Sequence, residues 1–154
     1  MKLQQTTNDK ALAFARIVLG LVFFPHGAQK LLGWFGGYGF SGTMGYFTDT
    51  MHLPWLVAFL VILVEFLGSI LLILGLATRI TALAFTALTL GIIFTSHIEF
   101  GFFMNWFGDQ KGEGYEFFLL VLALLLPLLL HGAGGLSLDW KISERKQPDT
   151  TFRL

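Results

Sequence analysis

The chain has 154 residues, 55% of them hydrophobic and 13% charged, with a formal net charge of zero. A soluble domain carries about a quarter charged residues, so the deficit points to lipid as solvent, and the absent net charge gives no footing for nucleic-acid binding. The chain has no cysteine, which excludes disulfides, thiolate metal sites and cysteine redox chemistry.

Four apolar segments follow in order: residues 11–32, 53–76, 80–98 and 115–131. The mean hydropathy is +0.70. A membrane helix needs about 20 mostly apolar residues to cross about 30 Å of hydrocarbon. The second segment fits this best, with only Glu65 and Ser69 interrupting it. The first carries Arg16, His26, Gln29 and Lys30. It follows a polar start like a secretory signal, but Pro25, His26 and Gly27 come where a small-residue cleavage site would stand. The fourth contains Pro127, which a packed membrane helix tolerates. The expected fold is therefore an all-α integral membrane protein, a four-helix transmembrane bundle with both termini cytoplasmic (N-in/C-in). Residues 1–140 form its single domain and 141–154 a polar cytoplasmic tail.

Orientation rests on basic residues. Lys2, Lys10, Arg79, Lys141, Arg145, Lys146 and Arg153 fall on one side of such a bundle, against Lys111 and Lys30 on the other. An excess of positive charge marks the cytoplasm. The short link Ala77, Thr78, Arg79 forces helices two and three into an antiparallel hairpin. Trp34, Tyr38, Tyr46, Trp55, Trp106 and Tyr115 then gather near the outer interface as an aromatic belt. The stretch from Gly33 to Met51 is rich in glycine and aromatics and has no clear period. It reads equally as a flap folded over the helix ends or as a flexible interfacial loop.

Polar residues inside the spans carry the functional signal, since a charge near the bilayer centre costs about 2.5–3.5 kcal/mol. Arg16 lies about 9 Å and Glu65 about 16 Å from the inner surface at about 1.5 Å per residue. An Arg16–Glu65 ion pair between helices one and two is expected, as a packing device or as part of a proton path. Gly20 and Gly27 share the Arg16 face and would admit another helix closely. At the outer ends, His26, Lys30, His97 and Glu116 are expected to gather into a ligand-binding cluster, suited to a polar head group with an apolar tail. The alternative is that Lys30 snorkels and the histidines cap helix ends. No metal site is expected, because no two histidines and a carboxylate show the local spacing of a zinc helix.

Four stretches together resemble the DoxX family of small four-helix membrane proteins. They are RIVLGLVFFPHGAQKL from Arg16, EFLGSILLILGLATR from Glu65, the His97 region, and Glu116 with GAGGLSLDW from Gly132. The resemblance runs from about Ala13 to Trp140. Arg16, His26, Gly27, Lys30, Glu65, Gly75, Arg79, Glu116 and Asp139 match the family's polar pattern, while Ala133 stands where the family often has proline. The resemblance implies a membrane subunit of a quinone-linked redox system, similar to a subunit of thiosulfate:quinone oxidoreductase, in the inner membrane. It implies no intrinsic cofactor but a bound quinone, with electrons from a substrate or a redox enzyme subunit. The alternatives are a non-enzymatic anchor or assembly partner for a soluble redox or stress enzyme, and a small transporter. The glycine-rich surface also suits a homo-oligomer.

Overall fold

A computed structural model describes residues 6–145 as an all-helical chain, with no strand among them. Helix α1 (Lys10–Leu32) begins where the Asp9 carboxylate accepts the N–H groups of Ala11 and Leu12, at 2.7 and 3.1 Å, and ends at left-handed Gly33. Helix α2 (Gly39–Gly45) is short and runs into a wide π-type turn, Tyr46–Thr50. Helices α3 (Trp55–Leu74) and α4 (Thr78–Phe100) are joined by a three-residue turn. Helix α5 (Glu116–His131) and the short α6 (Leu138–Arg145) complete the chain. By length and composition α1, α3 and α4 can each cross a membrane, whereas α5 is apolar but only 16 residues long.

The core forms where α1, α3, α4 and α5 converge. Leu19 and Phe23, Leu72, Phe85, Val121, Leu125 and Leu128 bury one another there. Outward positions such as Phe14, Leu67, Leu83 and Leu120 are exposed, as a lipid-facing surface requires. A second cluster of Met44, Ala58 and Ile62 fastens α2 onto α3. The Gly33–Met51 stretch therefore folds back as a helical flap, and not as a flexible loop. Its apolar residues find the α1–α3 surface although no period announces a helix.

Two glycines set the closeness of α1 and α3. A Cβ on Gly20 would stand 2.8 Å from the Ser69 carbonyl oxygen, and one on Gly27 would stand 2.5 Å from the Phe66 nitrogen. The backbones touch at both positions, as small residues permit.

One end of the molecule is tied by polar bonds. Arg16 is fully buried, and its guanidinium donates to the carbonyls of Leu72 and Ile73 at the end of α3. It also donates to those of Ala133, Gly135 and Leu136 beyond α5. Asp139 accepts the N–H groups of Ala77 (2.9 Å) and Thr78 (2.8 Å), capping α4 from a distant part of the chain. Arg79 donates to the Leu129 and Leu130 carbonyls near the end of α5. The Gly135 N–H reaches the Asp9 carbonyl at 2.9 Å. The start of α1, the α3–α4 turn and the segment after α5 thus share one end.

The expected Arg16–Glu65 ion pair does not form. Glu65 pairs with Lys30 instead. The reason is register: Gly20 lies on Ser69 and Ile73, and Gly27 lies on Glu65 and Phe66. In that antiparallel packing Arg16 falls beside Leu72 to Gly75, about two turns from Glu65. The first residues of the expected tail form the end of α6. The rest of it, with Lys146 and Arg153, and Lys2 at the other terminus, lie outside the described residues.

Candidate functional site

Lys30 sits in the last turn of α1, where a cation is favoured by the helix dipole. Its position follows from Gly27 one turn earlier, which lets α1 lie directly on the Glu65–Phe66 backbone. The Lys30 ammonium meets the Glu65 carboxylate at 2.5 Å. The Glu65 side chain is 4% exposed and that of Lys30 is 25% exposed. The ammonium is the partner that this buried carboxylate requires.

This pair heads a cavity of about 620 Å³ between α3 and α4. Its walls are mainly apolar: Val57, Leu60, Val61 and Val64 from α3 face Ala84, Ala87, Leu88 and Gly91 from α4. Phe47 and Met51, from the segment leading out of α2, close the end near Lys30, and Thr95 and Ser96 add hydroxyls. Val57 and Leu60 are exposed, so the groove opens where the helices face lipid. Three wide π-type turns meet here. Phe47 belongs to Tyr46–Thr50, Val64 and Glu65 to Val64–Gly68, and Thr95 and Ser96 to Ile93–His97. An extra residue in a helical turn re-aims its side chains, and such turns cluster at functional sites.

The expected outer cluster is only partly assembled. Lys30 lines the cavity, whereas His26, His97 and Glu116 do not. His26 is on an exposed face of α1. The His97 ring packs on Phe118 with centroids 4.6 Å apart, and its Nδ1 lies 2.7 Å from the Glu113 carbonyl oxygen. Glu116 accepts the Met104 N–H at 3.0 Å and the Trp106 indole N–H at 3.2 Å. Both residues thereby fix the loop between α4 and α5. Glu65, expected elsewhere, is the second polar member of the site. The apolar walls went unforeseen because a membrane helix is apolar on every side. The available signal was the run Ala84, Leu88, Gly91, Thr95, whose three- and four-residue steps put small residues on one face of α4.

Comparison with known proteins adds to this geometry. The DoxX family profile matches residues 11–98, more than half of the chain. The chain belongs to the DoxX family. The matched stretch contains every residue that lines the Lys30–Glu65 cavity and ends before Glu116. A Bacillus subtilis (strain 168) relative named "Putative oxidoreductase CatD" is 32% identical over 124 residues, covering 80% of this chain and 81% of its own. The inner membrane protein YphA of Escherichia coli (strain K12) is 30% identical over 132 residues, 83% of this chain and 87% of its own. The inner membrane protein YqjF of the same strain is 29% identical over 138 residues, 90% of this chain and 96% of its own. No solved structure matches the chain. This DoxX protein is thus a membrane protein of apolar helices with inner-membrane relatives.

Proposed function

We propose that this DoxX protein is a membrane subunit of a quinone-linked redox system, and that the Lys30–Glu65 cavity holds the quinone. The observation that carries the reading is one buried ion pair at the polar end of an otherwise apolar, lipid-open cavity. A volume of about 620 Å³ lies within the roughly 300–1,000 Å³ of small-molecule sites. An ammonium has three N–H donors, and Glu65 takes one of Lys30's. The remaining donors suit a carbonyl oxygen, and the α3–α4 walls suit an isoprenoid tail. Bound there, a quinone supplies a lipid-soluble electron acceptor. Lys30 would orient the head group, Glu65 would hold the ammonium in place, and the valine and leucine walls would exclude water. With no cysteine in the chain, the electrons are assigned to a bound substrate or a partner redox subunit. The oxidoreductase name carried by the Bacillus relative supports this assignment.

The same reading makes α5 the fourth membrane span. Its 16 residues rise about 24 Å at about 1.5 Å each, a short but sufficient length in a locally thinned bilayer. Leu120, Leu124, Leu126 and Leu130 on it are exposed and apolar, which water would penalise and lipid would not. Both termini are assigned to the cytoplasm, because the end holding Lys10 and Arg79 is the basic one.

The test is organic extraction of detergent-purified protein with mass spectrometry of the extract. The native protein is expected to retain quinone, and Lys30→Met/Glu65→Leu to lose it. That double variant leaves no buried charge unpaired, so its fold can be checked independently. Quinone no higher than a detergent blank in the native protein would overturn the reading and favour an assembly partner for a soluble enzyme.

A further inference from the structure

Lys30 lines a second cavity as well. This one, of about 520 Å³, lies between the end of α1 and the α2 flap and shares Lys30 and Phe47 with the groove. Gln29, Tyr38, Thr43, Tyr46 and Thr50 supply an amide, two phenols and two hydroxyls to its lining, and no carboxylate reaches it. Tyr38 and Tyr46 are exposed at its rim, while Thr43 is buried in its wall. The contrast with the groove is one of degree: hydroxyl and amide groups take a larger share of this lining, although Phe47 and the tyrosine rings keep most of it apolar, while the groove is walled chiefly by valine, leucine and alanine.

We infer that this second cavity is a water-filled vestibule through which water and small polar solutes of the outer aqueous phase reach Lys30, while the groove is entered from the bilayer. Lys30 and Phe47 line both cavities and stand between the two compartments. The Lys30 ammonium has donors to spare after Glu65, and its side chain is a quarter exposed. The hydroxyls in this lining favour hydration, since hydroxyls left without partners in hydrocarbon are costly. Lys30 is thus wetted from the vestibule, while Glu65 stays under the apolar walls of the groove.

The inference rests on the proposed orientation and on the groove reading for what Lys30 serves, but its test uses no quinone. The chain has no cysteine, so single cysteines can be introduced without background. The variants are Thr43→Cys, Lys30→Cys/Glu65→Gln, Ala87→Cys in the groove and Ser69→Cys in the packed core. Each is treated in intact cells with a charged, membrane-impermeant methanethiosulfonate. The vestibule thiols at positions 43 and 30 are expected to react from outside. The thiols at 87 and 69 are expected to react at least about tenfold more slowly, because hydrocarbon suppresses the reactive thiolate. Thr43→Cys is nearly isosteric and keeps the test decisive if the double variant fails to fold. Protection of both vestibule thiols, or their reaction only from the cytoplasmic face, would overturn the inference. Quinone retained with protected thiols leaves the groove reading standing alone. Reactive thiols with no quinone leave the vestibule and remove the quinone.

Discussion

Gly75 and Arg16 are fitted to each other at the end of α3. Gly75 adopts φ 66° and ψ 44°, and a Cβ there would stand 2.8 Å from the Arg16 Cζ and collide with the Ser137 side chain. The guanidinium occupies the space a side chain would take, bonded to the carbonyls of Leu72 and Ile73 just before the glycine. Gly75→Ala therefore meets both a left-handed backbone, costing about 1–2 kcal/mol, and a clash with a buried cation. A clear fall in unfolding temperature in detergent is expected, and an unchanged melt would refute the fit.

Arg16 is expected to be irreplaceable by lysine. Its planar fork reaches carbonyls on two separate segments at once. Lysine offers three donors on one atom and no fixed geometry. Each hydrogen bond from a charged donor is worth about 1.5–3 kcal/mol, so Arg16→Lys should lose most of the stability that Arg16→Gln loses. Thermal unfolding followed by size-exclusion chromatography measures both, and a fully stable Arg16→Lys would sink the argument.

The pairing pattern itself is open to a double-mutant cycle. Lys30 and Glu65 share a part-buried bond, whereas Arg16 and Glu65 share none. Lys30→Met and Glu65→Leu should be strongly non-additive in unfolding free energy, because Lys30→Met alone leaves the buried Glu65 carboxylate uncompensated. Arg16→Gln and Glu65→Leu should add to within about 0.3–0.5 kcal/mol, as separated sites do. Coupling between Arg16 and Glu65 as large as that between Lys30 and Glu65 would contradict the observed register.

Much of the helical layout is written in the hydropathy of the chain, because lipid admits few alternatives to a run of apolar residues. The close α1–α3 contact is likewise visible in Gly20 and Gly27. Which polar residues meet was not legible. Depth along two antiparallel helices depends on their relative slide, and an error of two turns transfers Glu65 from Lys30 to Arg16. The carbonyl partners of Arg16 carry no side-chain signal at all. The α2 flap was hidden because its glycines break any periodic pattern, while the Met44, Ala58 and Ile62 contact that holds it joins distant parts of the chain.

Asp139 should behave as a remote cap. Both its oxygens are used, one on Ala77 N–H and one on Thr78 N–H. Asp139→Asn keeps a single acceptor oxygen and should cost about 1 kcal/mol, and Asp139→Ala should cost more. Hydrogen exchange at the start of α4 is the direct readout. Protection there unchanged in the alanine variant would show that the cap contributes nothing.

Glu116 separates the two ways of drawing the ligand site. It was grouped with His26, Lys30 and His97 by its place at the outer ends of the helices. Its Oε1 is instead committed to the Met104 and Trp106 donors. Glu116→Gln keeps that acceptor oxygen and should leave Trp106 fluorescence nearly unchanged, whereas Glu116→Leu removes it and should release the exposed indole. Neither substitution touches the groove, so both variants, like His26→Ala and His97→Ala, should retain quinone at the native level while Lys30→Met/Glu65→Leu loses it. Loss of quinone from Glu116→Gln with the loop still intact would move the head group away from Lys30 and toward the end of α5.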